Sequence, residues 1–296
     1  MARGASYTAA PGVDSCCAKA RPGEWPGRDT RSAATPGGRT FVSAEGHLWE
    51  LAPWMPGKPR DPEAATAQHV AAAMAMLAQF HAATAILTET ARGAETAPAV
   101  AERLARIERW LHQGTAELME RESARAEPLL AKRARPLMAA FRQWVSRVET
   151  ELRAAQKLSL PLQPCIRDVH DQHVLFLEDE RGRPRVSGLI DFGAMRVDTV
   201  ATDIARLLGS LARDDAALWE AGLAAYQQQR PLSDGERQLT RLIDRSNVVL
   251  TGPQWLQWLL LEHKQFDALP AILSRLDRVL NRLKNLEANS AVERRN

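Results

Sequence analysis

The stretch Cys165-Ile-Arg-Asp-Val-His-Asp-Gln-His-Val-Leu-Phe176 is answered twenty residues on by Ser187-Gly-Leu-Ile-Asp-Phe-Gly193. The first reads as a short strand that enters a polar loop and leaves through an apolar run, Val174 to Leu177. The second is an apolar run that ends on Asp191. Between them lies Glu178-Asp-Glu-Arg-Gly-Arg-Pro184, a charged segment whose Gly182 and Pro184 mark a hairpin turn. Pairing of the two runs carries Asp168 and Asp191 to one edge of a small sheet. Carboxylates so placed suit two tasks: one accepts a proton from a nucleophile, the other holds a metal ion.

The pattern resembles the aminoglycoside phosphotransferase and choline kinase group, distant relatives of protein kinases. Its catalytic loop usually reads His-Gly-Asp-Leu-His-x-x-Asn, with a metal-binding Asp on the next hairpin. Asp168 matches the loop Asp, His170 the second His, and Asp191 the metal-binding Asp of an intact Asp-Phe-Gly. Thr202-Asp-Ile-Ala-Arg-Leu-Leu208 looks like the family's Asp-Leu-Ala-Arg-Leu-Leu helix, which makes Asp203 the acid that braces the loop. Two positions depart from the pattern. Ile166 and Arg167 replace the usual His-Gly, and His173 stands where the metal-binding Asn is expected. An imidazole nitrogen is a poorer ligand for Mg²⁺ than an amide oxygen and suits softer ions, so the resemblance implies ATP with Mg²⁺, or Mn²⁺ because of His173. Asp168-Val-His-Asp-Gln-His173 also reads as a metal-hydrolase cluster, but both histidines fall in a predicted loop and not on a helix face.

Working outward toward the N-terminus, Leu77-Ala-Gln-Phe-His81 resembles the family's Leu-Ala-x-Leu-His helix. Val70, Met74, Leu77 and His81 share one stripe at helical spacing, so His81 reads as a hydrogen-bonded core histidine that supports the loop. Asp61-Pro62-Glu63 is the expected helix start, with a capping acid and Pro at the first helical position. Before it, Arg39-Thr-Phe-Val-Ser43 and Gly46-His-Leu-Trp-Glu-Leu51 form a plausible strand pair. Pro53-Trp-Met-Pro-Gly57 then looks like the hinge of the family, which implies that Pro53, Trp54 and Met55 meet the adenine. The plain alternative is a Pro-rich linker with Trp54 packed on the next helix. No G-x-G-x-x-G loop precedes a strand and no strand carries an obvious phosphate-binding Lys: Lys19 lacks apolar neighbours and Lys58 lies beyond the hinge.

Residues 98 to 157 are Ala-, Arg- and Glu-rich and read as a helical insertion. Val100, Leu104, Ile107 and Leu111 form one stripe, and Phe141, Val145, Val148 and Leu152 another. Pro128 and Pro136 should start or kink helices, and the charges read as a solvated face. Beyond Asp203, helices are expected over about 216–229, 234–249, 252–263 and 267–286, with Trp219, Trp255 and Trp258 filling the core between them. In the family this region forms part of the acceptor pocket. Residues 270 to 296 carry more Lys/Arg than Asp/Glu, which disfavours a polycationic aminoglycoside acceptor.

Composition limits the classes. At 296 residues, 45% hydrophobic and 25% charged, the chain has ample material for a core. A net charge of +3 without a basic block argues against nucleic-acid and membrane partners. Three cysteines, Cys16, Cys17 and Cys165, lack metal-ligand spacing and fit a reducing cytoplasm. The expected fold is α+β and mostly helical: a kinase-like larger lobe with a truncated smaller lobe and a short catalytic hairpin. Its parts are a disordered or loosely packed tail (1–38), a remnant of the nucleotide-binding lobe with the hinge (39–57), and the helical larger lobe (58–296). The expected activity is ATP-dependent phosphotransfer to a small-molecule hydroxyl or amine. The alternative is a truncated or degenerate, non-catalytic kinase-like binding protein.

Overall fold

The computed structural model describes residues 32–86, 96–266 and 268–293. The tail expectation for residues 1–31, with Cys16, Cys17 and Lys19, lies outside the described residues. Order starts before the expected Arg39, because the Ala33 N–H donates to Leu51 O (2.7 Å) and the Thr35 N–H to Arg39 O (2.8 Å). The predicted strand pair forms: β1 (Val42–Ala44) and β2 (His47–Trp49) are antiparallel, with Ser43 opposite Leu48. Glu45 and Gly46 between them both take positive φ (53° and 75°), which is the two-residue turn whose twist suits a hairpin.

Three strands form the sheet that carries the catalytic hairpin. β3 (Lys58–Pro59) pairs with β5 (Val174–Glu178), and β5 pairs with β6 (Pro184–Leu189), all antiparallel. Lys58 is thus not simply past the hinge; it lies opposite Phe176 as the sheet's edge. A separate pair, β4 (Gln163–Cys165) with β7 (Arg196–Asp198), holds the strand before the catalytic loop against the chain after Asp-Phe-Gly.

The helices surround these small sheets. Asp61-Pro62-Glu63 does not open the long helix. It caps a 3₁₀ turn, Pro62–Ala64, in which the Glu63 N–H donates to Asp61 (3.0 Å). The Arg60 guanidinium donates to the Ala64 carbonyl (2.7 and 2.9 Å), and the backbone turns extended at Ala65, which ends the turn. α1 (Ala67–Ala85) begins afresh at Thr66 and buries Val70, Met74, Leu77 and His81, the predicted stripe. α2 (Pro98–Ile107) continues through a π-helical turn, Glu108–His112, to α3 (Thr115–Ser123) and α4 (Pro128–Ala155). Pro128 starts α4 under a Glu127 cap, whereas Pro136 sits inside it. α5 (Ala201–Leu211), α6 (Ala216–Gln229), α7 (Asp234–Leu256) and α8 (Leu269–Glu293) complete the chain.

The expected break at Gly252-Pro253 does not occur, and α7 runs through both residues. A Cβ on Gly252 would meet Leu137 Cδ2 at 2.8 Å, so α4 and α7 touch there, and tertiary packing overrides the local breaker signal. One apolar core joins α2, α3, α4, α7 and α8; a second joins α1, β4–β6, α5 and α6 around the catalytic loop. Trp219 is buried in the second core, but Trp255 is only partly covered and Trp258 lines a surface cleft, so neither fills the core as expected. The architecture is α+β and mostly helical, as the sequence implied. Among the described residues no helix is long and apolar enough to cross a membrane.

Candidate active site

The candidate catalytic loop hangs from one buried carboxylate. Asp203, in the first turn of α5, is fully buried and accepts the Ile166 N–H (2.7 Å) on Oδ2 and the Arg167 N–H (2.6 Å) on Oδ1. Its Oδ2 also meets His81 Nε2 at 3.0 Å, and His81 Nδ1 meets the Tyr226 hydroxyl at 2.7 Å. With Nε2–H donating to the carboxylate, Nδ1 is the acceptor for the Tyr226 hydroxyl. Burial pushes the Tyr226 phenol well above its ordinary value, which keeps it a donor. A buried charge is tolerable when its lone pairs are met by donors, and here both oxygens are. His81, Cys165 and Asp203 offer ligand atoms within 4.8 Å of one another. These atoms are already engaged, however, since Cys165 Sγ donates to Asp198 O at 3.4 Å.

Arg167 explains why glycine is usual at its position. Its φ is +66°, a conformation that costs a side-chain-bearing residue about 1–2 kcal/mol. Its guanidinium is pinned: Nη1 donates to Glu102 Oε1 (3.0 Å), Nη2 to Glu102 Oε2, and Nε lies 3.4 Å from buried Asp198. Glu102 comes from α2, so the charges of the helical insertion are not merely a solvated face. Arg103 beside it is also engaged, donating to Ser246 Oγ (2.9 Å) and Asn247 Oδ1 (2.7 Å).

Asp168 and Asp191 lie at the same end of the β5–β6 hairpin. Asp168 precedes β5, Asp191 follows β6, and Val174 pairs with Leu189 at that end. His173 connects them: Nδ1 donates to the Asp168 carbonyl (3.0 Å), and Nε2 stands 3.6 Å from Asp191 Oδ2. That bond fixes the tautomer and turns the Nε2 lone pair toward the Asp191 carboxylate. Burial, helped by neighbouring His170, holds His173 below the ordinary histidine value against the pull of Asp191 and Asp168. Asp191 is 61% exposed and at φ +64°, so its carboxylate projects from a strained turn. One carboxylate and one imidazole lone pair make a donor set that fits a divalent cation, with Mn²⁺ better matched to the nitrogen than Mg²⁺.

The Asp168 carboxylate is half-exposed, and Arg206 donates to its Oδ1 from Nη2 (2.9 Å) and Nε (3.2 Å). Among the described residues nothing holds Oδ2. His170 caps the 3₁₀ turn Asp171–His173, accepting the Gln172 N–H (3.3 Å), and its ring lies 3.8 Å from that of His173. Its imidazole also lies 3.6 Å from the Asp171 carboxylate. In the segment expected to be the hinge, Met55 is buried and packs on Gly188, where an added Cβ would lie 2.7 Å from Met55 Cε. Ser187 Oγ donates to Pro56 O, tying this segment to β6. Trp54 is 96% exposed, so it does not pack on α1.

Sequence reasoning missed Arg206, Glu102 and Tyr226. Arg206 was within reach, since it stands three residues after Asp203 on one helix. Glu102 and Tyr226 act across 65 and 145 residues with no local signal.

The sequence matches the pattern of the APH phosphotransferase enzyme family over residues 33–240. No curated protein matches it. Its fold is similar to that of an aminoglycoside phosphotransferase from Alicyclobacillus acidocaldarius: TM-score 0.56, 22% identity, 90% of this chain and 76% of that one. It is also similar to a spectinomycin phosphotransferase solved with ADP and spectinomycin: TM-score 0.54, 11% identity, 87% of this chain and 77% of that one. The resemblance carried by Asp168, Asp191 and Asp203 is thus borne out, and the chain belongs to the phosphotransferase enzyme family.

Proposed function

We propose that the chain transfers the terminal phosphoryl group of ATP to the hydroxyl or amine of a small molecule. The observation that carries this reading is the meeting of Asp168 and Asp191 at one end of the hairpin, joined through His173. Phosphoryl transfer asks a protein for positioning and charge neutralisation more than for covalent chemistry. Arg206 holds Asp168 Oδ1, which leaves Oδ2 to orient the acceptor and take its proton as the new bond to phosphorus forms and the bond to ADP breaks. Asp191 and His173 would hold the divalent cation, whose charge offsets that of the phosphates. Asp203 and His81 keep the loop backbone fixed, so that the Asp168 carboxylate need not reorganise during the reaction. Trp54 and the backbone of Pro53 and Met55 would line the adenine, since the Met55 side chain is spent on Gly188.

The test is transfer of labelled terminal phosphate from ATP to a panel of alcohols and amines, with Mg²⁺ or Mn²⁺. Wild-type protein should label an acceptor, and Asp168→Asn should lower the rate by about 10²–10⁴-fold. No transfer to any acceptor, with no nucleotide-dependent rise in melting temperature, would leave the non-catalytic alternative in its place.

A further inference from the structure

A cleft of about 410 Å³ opens between α2 and the π-helical turn Gln257–Leu261 that continues α7. Its walls include Glu102, Arg106, Arg109, Trp258, Glu262 and Lys264. Glu102 joins this cleft to the catalytic loop: the same carboxylate that lines it grips Arg167, the residue before Asp168. Arg196, five residues after Asp191, approaches Glu102 to 3.8 Å. The cleft therefore borders the segments that carry both acids.

The charges of the cleft do not cancel. The Glu102 carboxylate is taken by Arg167, and Glu262 by Lys264 at 3.0 Å, with its second oxygen accepting from Gln257 (2.7 Å). Arg106 and Arg109 are left over. Among the described residues neither has a hydrogen-bond acceptor or an ion pair, although Arg109 is near enough to Glu262 to bias its charge. Arg106 is half-buried over the face of Trp110, with its guanidinium carbon 5.7 Å from the ring centre. Burial, reinforced by Arg109 and Arg167 against Glu102, pulls its pKa below the ordinary arginine value. The buried Arg282 of α8, by contrast, is paired with Asp214 and Asp244 (2.8 and 2.9 Å).

Resting on the phosphotransferase reading, we propose that this cleft is the acceptor pocket and selects an acceptor bearing a carboxylate, held by Arg106 and Arg109 beside Trp258. A planar, singly charged carboxylate matches the guanidinium fork, whereas the nearby acids Glu102 and Glu262 oppose a doubly charged group. A polycationic acceptor would meet the two uncompensated arginines and be repelled.

The probe pair is para-(hydroxymethyl)benzoate and its neutral amide, para-(hydroxymethyl)benzamide, which differ only in the charge. Calorimetry on the full chain without nucleotide should show the benzoate binding at least about tenfold tighter than the amide. Arg106→Gln and the exposed Arg109→Gln should each remove most of that preference, and Arg106→Lys should keep part of it. Equal binding of the two probes to wild type, or no binding of the benzoate at millimolar concentration, overturns the proposal without depending on how any variant folds. In the presence of ATP, the preference should appear in KM with kcat little changed. An intact preference in calorimetry with no phosphate transfer supports the anion-binding cleft and counts against the kinase reading alone.

Discussion

Replacing Asp203 with alanine removes the acceptor for three donors at once: the Ile166 N–H, the Arg167 N–H and His81 Nε2–H. None of these has a second described acceptor, and Asp203 and His81 are sealed from solvent. Each orphaned buried donor costs about 1–3 kcal/mol, and more where the lost acceptor was a carboxylate. Because the three share one site and relax together, the expected loss is about 4 kcal/mol rather than their sum. For a chain of this size that lowers the melting temperature by on the order of 10 °C. Asp203→Asn keeps one oxygen acceptor but turns an N–H toward a backbone N–H, so it should lose about half as much. Thermal and urea unfolding followed by circular dichroism read both values. An Asp203→Ala protein within about 1 kcal/mol of wild type would refute the idea that this carboxylate holds the loop.

The pair of His173 with Asp191 makes metal preference a matter of one substitution. His173→Asn exchanges imidazole nitrogen for amide oxygen and should lower the ratio of Mn²⁺- to Mg²⁺-supported rates; an unchanged ratio would remove His173 from the metal site. Arg167 holds the Glu102 carboxyl below its ordinary range, although burial works the other way. A carboxylate depressed in the folded state stabilises above its unfolded pKa, and that contribution is lost as pH falls through the folded value. Glu102→Gln should thus cost up to about 1 kcal/mol at neutral pH, with the difference from wild type vanishing in acid. Gly188→Ala would force Met55 aside, since the new Cβ lies 2.7 Å from Met55 Cε. It should raise the KM for ATP while moving the melting temperature by only a few degrees, and an unchanged KM would separate the hinge from nucleotide binding.

The parts of this molecule written in short-range pattern were legible. The β5–β6 hairpin followed from two apolar runs around Gly182 and Pro184, and the buried face of α1 from its 3.6-residue period. What escaped depends on contacts distant in the chain. Nothing local to Glu102 says that it meets Arg167, and nothing in Gly252-Pro253 says that Leu137 will pack against a helix that continues through both residues. The helix start at Asp61 was misread because its cap serves only a 3₁₀ turn, which ends where the backbone turns extended at Ala65. Trp54 was read as either a nucleotide contact or a packing residue, and its exposure excludes only packing on α1.

The division of labour between the two acids is best read by titrating Mn²⁺·ATP into Asp191→Asn and Asp168→Asn in parallel. Asp191→Asn should lose the metal-dependent part of ATP binding, while Asp168→Asn should bind Mn²⁺·ATP as wild type does and transfer phosphate about 10²–10⁴-fold more slowly. Wild-type Mn²⁺·ATP affinity in Asp191→Asn, or a near-wild-type transfer rate in Asp168→Asn, would contradict the assignment of metal and proton to these two carboxylates.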